Sequence, residues 1–227
     1  SGQSPSITEF EIAAYSEWLV GDTLSFADFP LDDNANWYYQ FVLDEHTTYL
    51  PFDGYKRVVW DPTEMTIEKV MEDTSLSPER DGLRLQAGAN PAAVRYRGDT
   101  MQPFYYSDED GFEFTPDSFI ASYDRDTHEE KSLVRVPCPG LQVATIAEDG
   151  TTYFSTRHYL PGLALWNSGP KPCVARFSPD GELDADWTTD LTDLTDGRYA
   201  ANFRYIGDGR AIASVLHHED LDADLEG

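Results

Sequence analysis

Short apolar runs alternate along this chain with clusters of Asp, Glu, Gly and Pro, and runs of that length bounded by turn residues predict β-strands. The clearest series begins with Trp37-Tyr38-Tyr39-Gln40-Phe41-Val42-Leu43, followed by the turn Asp44-Glu45-His46 and a returning strand from Thr47 to Phe52. After Asp53-Gly54, Arg57-Val58-Val59-Trp60 predicts a third strand, and the turn Asp61-Pro62-Thr63-Glu64 leads to a fourth from Met65 to Val70. The same order returns twice. One copy runs through Ala92 to Tyr96, Gln102 to Tyr106, Phe119 to Tyr123 and Ser132 to Val136. The next runs through Gln142 to Ile146, Thr151 to Thr156, Val174 to Phe177 and a weaker strand near Trp187. A fourth copy has only two strands, Ala200 to Ile206 and Arg210 to Leu216.

The first turns of the copies fall near residues 45, 98, 149 and 208, a spacing of 50 to 60 residues. Strand-rich repeats of about that length predict a β-propeller of four-stranded blades rather than a sandwich, which gives no reason for turn chemistry to recur at a fixed period. The expected architecture is therefore all-β, about three and a half blades of a larger ring of about seven. Residues 1–36 hold N-terminal strands, one from Ile7 to Tyr15 and two more around Gly21-Asp22, available to complete the last blade. Blades one to three occupy 37–75, 76–138 and 139–195, and 196–227 is half a blade with an acidic tail. Such a ring is open, so a second chain or cleavage fragment is expected to supply the missing blades in a heterodimer.

Composition narrows the partners. With 42 acidic and 16 basic residues the formal net charge is −26, which repels phosphate backbones and excludes a nucleic-acid-binding reading. No apolar run reaches the length of a transmembrane helix. The chain opens Ser1-Gly2-Gln3-Ser4, without an initiator Met or a signal segment, as a mature or trimmed N-terminus, or a tag scar at residues 1–2, would.

Segments such as Arg57-Val58-Val59-Trp60-Asp61-Pro62-Thr63 and Val174-Ala175-Arg176-Phe177-Ser178-Pro179-Asp180-Gly181 resemble bacterial propellers of the YVTN/WD40-like superfamily. More loosely the chain resembles secreted propeller lipoproteins associated with siderophore uptake. It departs from true WD40 blades in lacking their Gly-His and Trp-Asp signatures. The resemblance covers residues 37–218 and implies a ligand-binding or scaffolding role, with a hint of metal-chelate traffic.

The repeat alignment places the second-to-third-strand loops and the blade entries on one face. That face gathers Trp37, Tyr38, Tyr55, Arg157, His158, Tyr159, Trp166 and Tyr199 as candidate ligand-binding residues, joined by Asp108, Asp110, Phe112 and Phe114. His158, His217, His218 and Glu219 are candidate ligands for a divalent metal ion or metal chelate. The tail Asp220-Leu221-Asp222-Ala223-Asp224 has the alternating carboxylates of a calcium loop but places Leu225 where that loop needs Gly. Cys138 ends the fourth strand of one blade and Cys173 starts the third strand of the next, on the same face, which predicts a disulfide and an oxidising compartment. No nucleophile elbow, HExxH helix or phosphate loop is present.

The expected function is a secreted, periplasmic or lipid-anchored binding protein that holds a small molecule, metal chelate or peptide on this aromatic and His-lined face. The alternatives are a structural half of a split propeller without a small ligand, and a propeller-type hydrolase whose catalytic residues nothing in the sequence selects.

Overall fold

The computed structural model describes residues 6–12, 18–25, 41–52, 56–72, 75–88, 94–96, 99–108, 110–157 and 170–217. The chain is all-β, in several antiparallel sheets, and divides into two compact units, Ser1–Glu72 and Asp73–Gly227.

In the first unit, β1 (Ser6–Ile12) pairs with β2 (Trp18–Ser25). The pattern around Gly21-Asp22 predicts a break into two strands; instead a single strand passes through both residues. A four-stranded meander follows: β3 (Phe41–Asp44), β4 (Thr47–Phe52), β5 (Lys56–Asp61) and β6 (Thr66–Met71), paired in chain order. Arg57 to Asp61 are all buried, as expected of a strand covered on both faces. Leu50, Val58 and Trp60 form the core here, with Leu24, Met65, Ile67 and Val70 packed on it. The guanidinium of Arg57 lies 5.4 Å from the centre of the Tyr49 ring, an arrangement that attracts the cation to the aromatic face.

The second unit opens with a hairpin that the apolar pattern does not reveal, β7 (Glu79–Arg80) and β8 (Leu83–Ala87). It then forms a second meander from β9 (Val94–Tyr96), β10 (Asp99–Ser107), β11 (Phe114–Tyr123) and β12 (Glu130–Val136). One edge of β10 is shared: β9 pairs with Asp99 to Met101, while β8 pairs with Phe104 to Ser107. The break falls at Gln102-Pro103, where proline has no N–H to donate. A third meander, β13 (Leu141–Ile146), β14 (Thr152–Thr156), β15 (Cys173–Phe177) and β16 (Thr189–Asp190), is again paired in chain order. The weaker strand expected near Trp187 is β16, which begins two residues later and pairs with β15; Trp187 itself ends a 3-10 turn, Ala185–Trp187, and its indole packs 5.4 Å from the Tyr153 ring and under the Arg176 guanidinium at 4.7 Å. The short helix α1 (Leu191–Leu194) is capped by the Asp190 carboxylate, which accepts from the Thr192 N–H. The hairpin of β17 (Ala200–Gly207) and β18 (Arg210–Val215) follows.

Alternation along β14 and β15 explains how these sheets stack. Phe154, Cys173, Ala175 and Phe177 point one way and meet Met101, Ile120 and Val136 of the second meander in one buried cluster. Tyr153 and Val174 point the other way, and Tyr153 meets Phe203 and Tyr205 of the terminal hairpin at 5.4 and 6.1 Å between ring centres.

The third turn of each meander is built alike. Asp61 accepts from the N–H groups of Thr63 and Glu64, Asp124 from those of Asp126 and Thr127, and the Ser178 hydroxyl from those of Asp180 and Glu182. Short polar side chains that turn the chain in this way are favoured at the start of a tight turn. These backbone bonds hold the carboxyls of Asp61 and Asp124 below the usual range, through Glu64 and Thr127 foremost.

Candidate functional site

Strand direction brings the second-to-third-strand loops and the starts of the first strands to one end of the second unit. The level of each residue along the stack is set by two cross-sheet contacts, Ser155 with the Phe203 carbonyl and Thr145 with the Tyr205 carbonyl. Leu141, Thr156, Cys173 and Ala200 therefore lie at the same end, here called the loop end.

Across the seam between the second and third meanders runs a short polar chain. The Gln142 side chain is 1 % exposed; its amide nitrogen donates to the Tyr105 hydroxyl, and its amide oxygen accepts from the Arg157 guanidinium at 3.3 Å. A buried amide satisfied at both ends holds its neighbours in one geometry, because leaving either end unpaired costs desolvation without return. The Tyr105 ring stacks on Phe114 at 5.6 Å, which fixes its hydroxyl toward Gln142. Arg157 is half-buried and directly follows the end of β14. In the 108–113 loop the Asp108 carboxylate accepts from the N–H groups of Phe112 and Glu113, and Phe112 stands 61 % exposed.

Cys138 and Cys173 are disulfide-bonded, with Cα atoms 5.8 Å apart, as their strand positions predict. Thr156 braces the bond from behind. Its hydroxyl accepts from the Cys173 N–H at 3.1 Å and lies within donating distance of the Pro139 and Cys173 carbonyls. Nearby, the Leu141 N–H donates to the Ser118 hydroxyl at 3.1 Å. The end is thus locked covalently and by buried hydrogen bonds.

A second brace holds β7 against β11 and β12. Asp117, 2 % exposed, takes both the Arg80 and the Arg135 guanidinium groups, and Arg80 also lies 4.5 Å from the centre of the Tyr106 ring. Burial works against ionising Asp117, but the hydrogen bonds and charges of the two arginines outweigh it, and the carboxyl titrates below its ordinary range. Burial foremost pushes the Tyr106 hydroxyl up, and it donates to the Ser77 carbonyl at 2.8 Å.

Of the ligand and metal candidates singled out by sequence, Arg157, Tyr199 and His217 are described and share the loop end with Asp108, Asp110, Phe112 and Phe114 of the second-to-third-strand loop. The Leu216 N–H donates to the Tyr199 carbonyl at 2.8 Å, which sets exposed His217 beside the entry to β17. Trp37, Tyr38, Tyr55, His158, Tyr159, Trp166, His218 and Glu219 lie outside the described residues, as does the acidic tail. Among the described residues there is no cluster of three or more His, Cys, Asp or Glu able to hold a metal ion. Gln142 and Tyr105 are the site residues that sequence reasoning missed. Both sit on strands whose patterning reads simply as core, and the only trace was a glutamine inside an apolar run. No helix of the described chain is long and apolar enough to cross a membrane. No protein-family model matches the sequence, and no curated protein matches it.

Proposed function

We propose that the chain is a propeller-type binding protein working outside the cytoplasm, which takes a small molecule, metal chelate or peptide at the loop end of its sheets. Within the second unit a six-stranded sheet, a four-stranded meander and a hairpin pack face to face in chain order, and one turn chemistry recurs at the third turn of each meander; both observations support the propeller reading. The disulfide supports an oxidising compartment. The observation that carries the binding reading is the Tyr105–Gln142–Arg157 chain. It delivers a guanidinium, positioned by a buried amide, to the end that also presents Phe112, Tyr199 and His217. Preorganised polar groups among aromatic side chains are what a concave small-ligand site needs.

Titration of ferric catecholate and hydroxamate chelates, divalent metal ions and short peptides against tryptophan fluorescence tests this reading. A saturable response is expected, lost in Arg157→Ala. No response from any probe, or a response unchanged in Arg157→Ala, would overturn it.

A second reading, the interaction half of a split propeller, draws support from the terminal hairpin. Ile206 and Ile212 stand 51 % and 55 % exposed on it, and among the described residues β18 pairs only with β17. Apolar side chains on a strand edge invite a partner. A folded, monodisperse monomer in light scattering would sink this second reading.

A further inference from the structure

Two sheets are half the size of the others. Each meander has four strands, whereas among the described residues β1 pairs only with β2 and β18 only with β17. Chain order gives these two hairpins complementary places. The last strand of a meander leads to the first strand of the next sheet, as β12 leads to β13 and β16 to β17. By that rule β17 and β18 stand as the first and second strands of a sheet. β2 leads to β3 in the same way, so β1 and β2 stand as third and fourth strands. Each hairpin also lies on a meander: Tyr153 packs against Phe203 and Tyr205, and Leu24 of β2 packs on the core of Leu50, Val58 and Trp60.

β18 is an unprotected edge. Arg210 to Ser214 are all exposed. Proteins blunt such edges with Lys, Pro or a bulge. β18 carries neither Lys nor Pro, and the register shifts of its hairpin fall on β17: Ala201 pairs with Ser214 but Arg204 with Ile212, and Tyr205 pairs with Ala211 but Gly207 with Arg210. Arg204 stands opposite Ile212 and, like Ile206, is exposed. The charges of the two hairpins are also complementary. β18 has no acidic residue. Arg210 is held by Asp208 at 3.1 Å, while Arg204 has no carboxylate partner among the described residues. β1 and β2 carry Glu9, Glu11 and Asp22 and no basic residue.

We propose that the open edge of β18 takes β1 of a second copy of this chain, and that the two copies exchange hairpins reciprocally. The exchange completes two four-stranded antiparallel sheets in the order β17-β18-β1-β2, the number of strands that each meander already has. It covers both open edges at once and closes about a two-fold axis, so it stops at two copies. Leu24 fastens β2 to its own meander, so the arriving hairpin brings that meander against the exposed Ile206 and Ile212. The acidic strands arrive beside Arg204, the cation left without a carboxylate. The proposal rests on the reading of this edge as an interface, and it names the partner.

The test uses the whole chain. Light scattering over a concentration series should show a species of twice the 25.6 kDa chain mass, which dissociates as salt is added. Where that species forms, the amides of residues 210–215 should exchange at least about tenfold more slowly than in the dilute protein. Ala213→p-benzoylphenylalanine, made in ¹⁵N-labelled chain and mixed with unlabelled wild type, then locates the contact. The expected photo-cross-link joins residues 210–215 of one label to residues 6–12 or 18–25 of the other. Ile212→Glu should raise the Kd of the dimer at least about tenfold, and Arg204→Glu at least about fivefold. A monomer at every concentration, cross-links that stay within one label, or a dimer whose cross-links avoid residues 6–25 would overturn the proposal. The monomer would sink the split-propeller reading as well, whereas a dimer joined elsewhere would leave that reading standing. Mass and exchange are read on the unsubstituted chain, so a variant that fails to fold does not remove the test.

Discussion

Breaking the Cys138–Cys173 bond should destabilise the second unit by an amount that the chain itself sets. The bond closes a loop with a sequence separation of 35. In the chain-entropy treatment, a closed loop of that size removes about 13 cal/mol/K from the unfolded ensemble, or about 4 kcal/mol at 25 °C. Inside the loop lie β13 and β14, so an opened denatured state gains freedom across a whole hairpin. With a urea slope of about 2 kcal/mol/M, the unfolding midpoint should fall by about 2 M on reduction. The assay is equilibrium urea unfolding by far-UV circular dichroism, with and without dithiothreitol, beside the double variant Cys138→Ser/Cys173→Ser. If the stabilisation acts through the unfolded state, the reduced protein and the double variant should share one midpoint. A midpoint drop under about 0.5 M would refute the loop-entropy account. Midpoints that differ between the reduced protein and the double variant would show that packing around the sulfurs, and not the constraint, dominates.

Three further outcomes follow from the braces. Asp117→Asn should cost about 2 kcal/mol at pH 7, since it strips the partner from two guanidinium groups that are themselves partly solvated. Because the Asp117 pKa is lowered in the folded state, its contribution is complete above the unfolded value and fades as pH falls through the folded one. Thermal melts of wild type and Asp117→Asn should therefore converge in strong acid, and a gap that persists there would contradict the assignment. Thr156→Val should cost about 1–3 kcal/mol by leaving the Cys173 N–H buried and unpaired, with faster hydrogen exchange at that amide as its mark. Gly88→Ala should destabilise by about 1–3 kcal/mol, because its Cβ would stand 2.8 Å from the Leu141 carbonyl oxygen and 2.7 Å from Pro103; urea unfolding measures it.

Much of the strand content was legible because each strand is bounded by turn residues with a specific task. Thr47–Phe52 coincides with β4, and Asp61, Asp124 and Ser178 each end a third strand by capping its turn. The disulfide was legible too, since strand position alone brings its ends together. The hairpin β7–β8 escaped because Glu79-Arg80-Asp81-Gly82-Leu83-Arg84 reads as a polar turn, and its pairing with β10 comes from tertiary contact. The weak strand expected near Trp187 is present as β16, displaced by two residues because Trp187 itself packs between Arg176 and Tyr153. The candidate sites were the least legible. Gln142 is informative only once Tyr105 lies opposite it, and the open edge of β18 only once the register shifts of its hairpin fall on β17. Register shifts of one residue leave no trace in a pattern of apolar and polar positions.

The shared edge of β10 carries a consequence for motion. β9 and β8 occupy separate lengths of one strand, meeting at Gln102-Pro103, where the Pro103 carbonyl is held by the Gly88 N–H at 2.8 Å. A ladder tiled by two segments need not open as one. The three-residue pairing of β9 can peel from Asp99 to Met101 while β8 keeps Phe104 to Ser107 in place. Tyr105, the start of the loop-end polar chain, lies on the length held by β8, so an opening of β9 leaves that anchor paired.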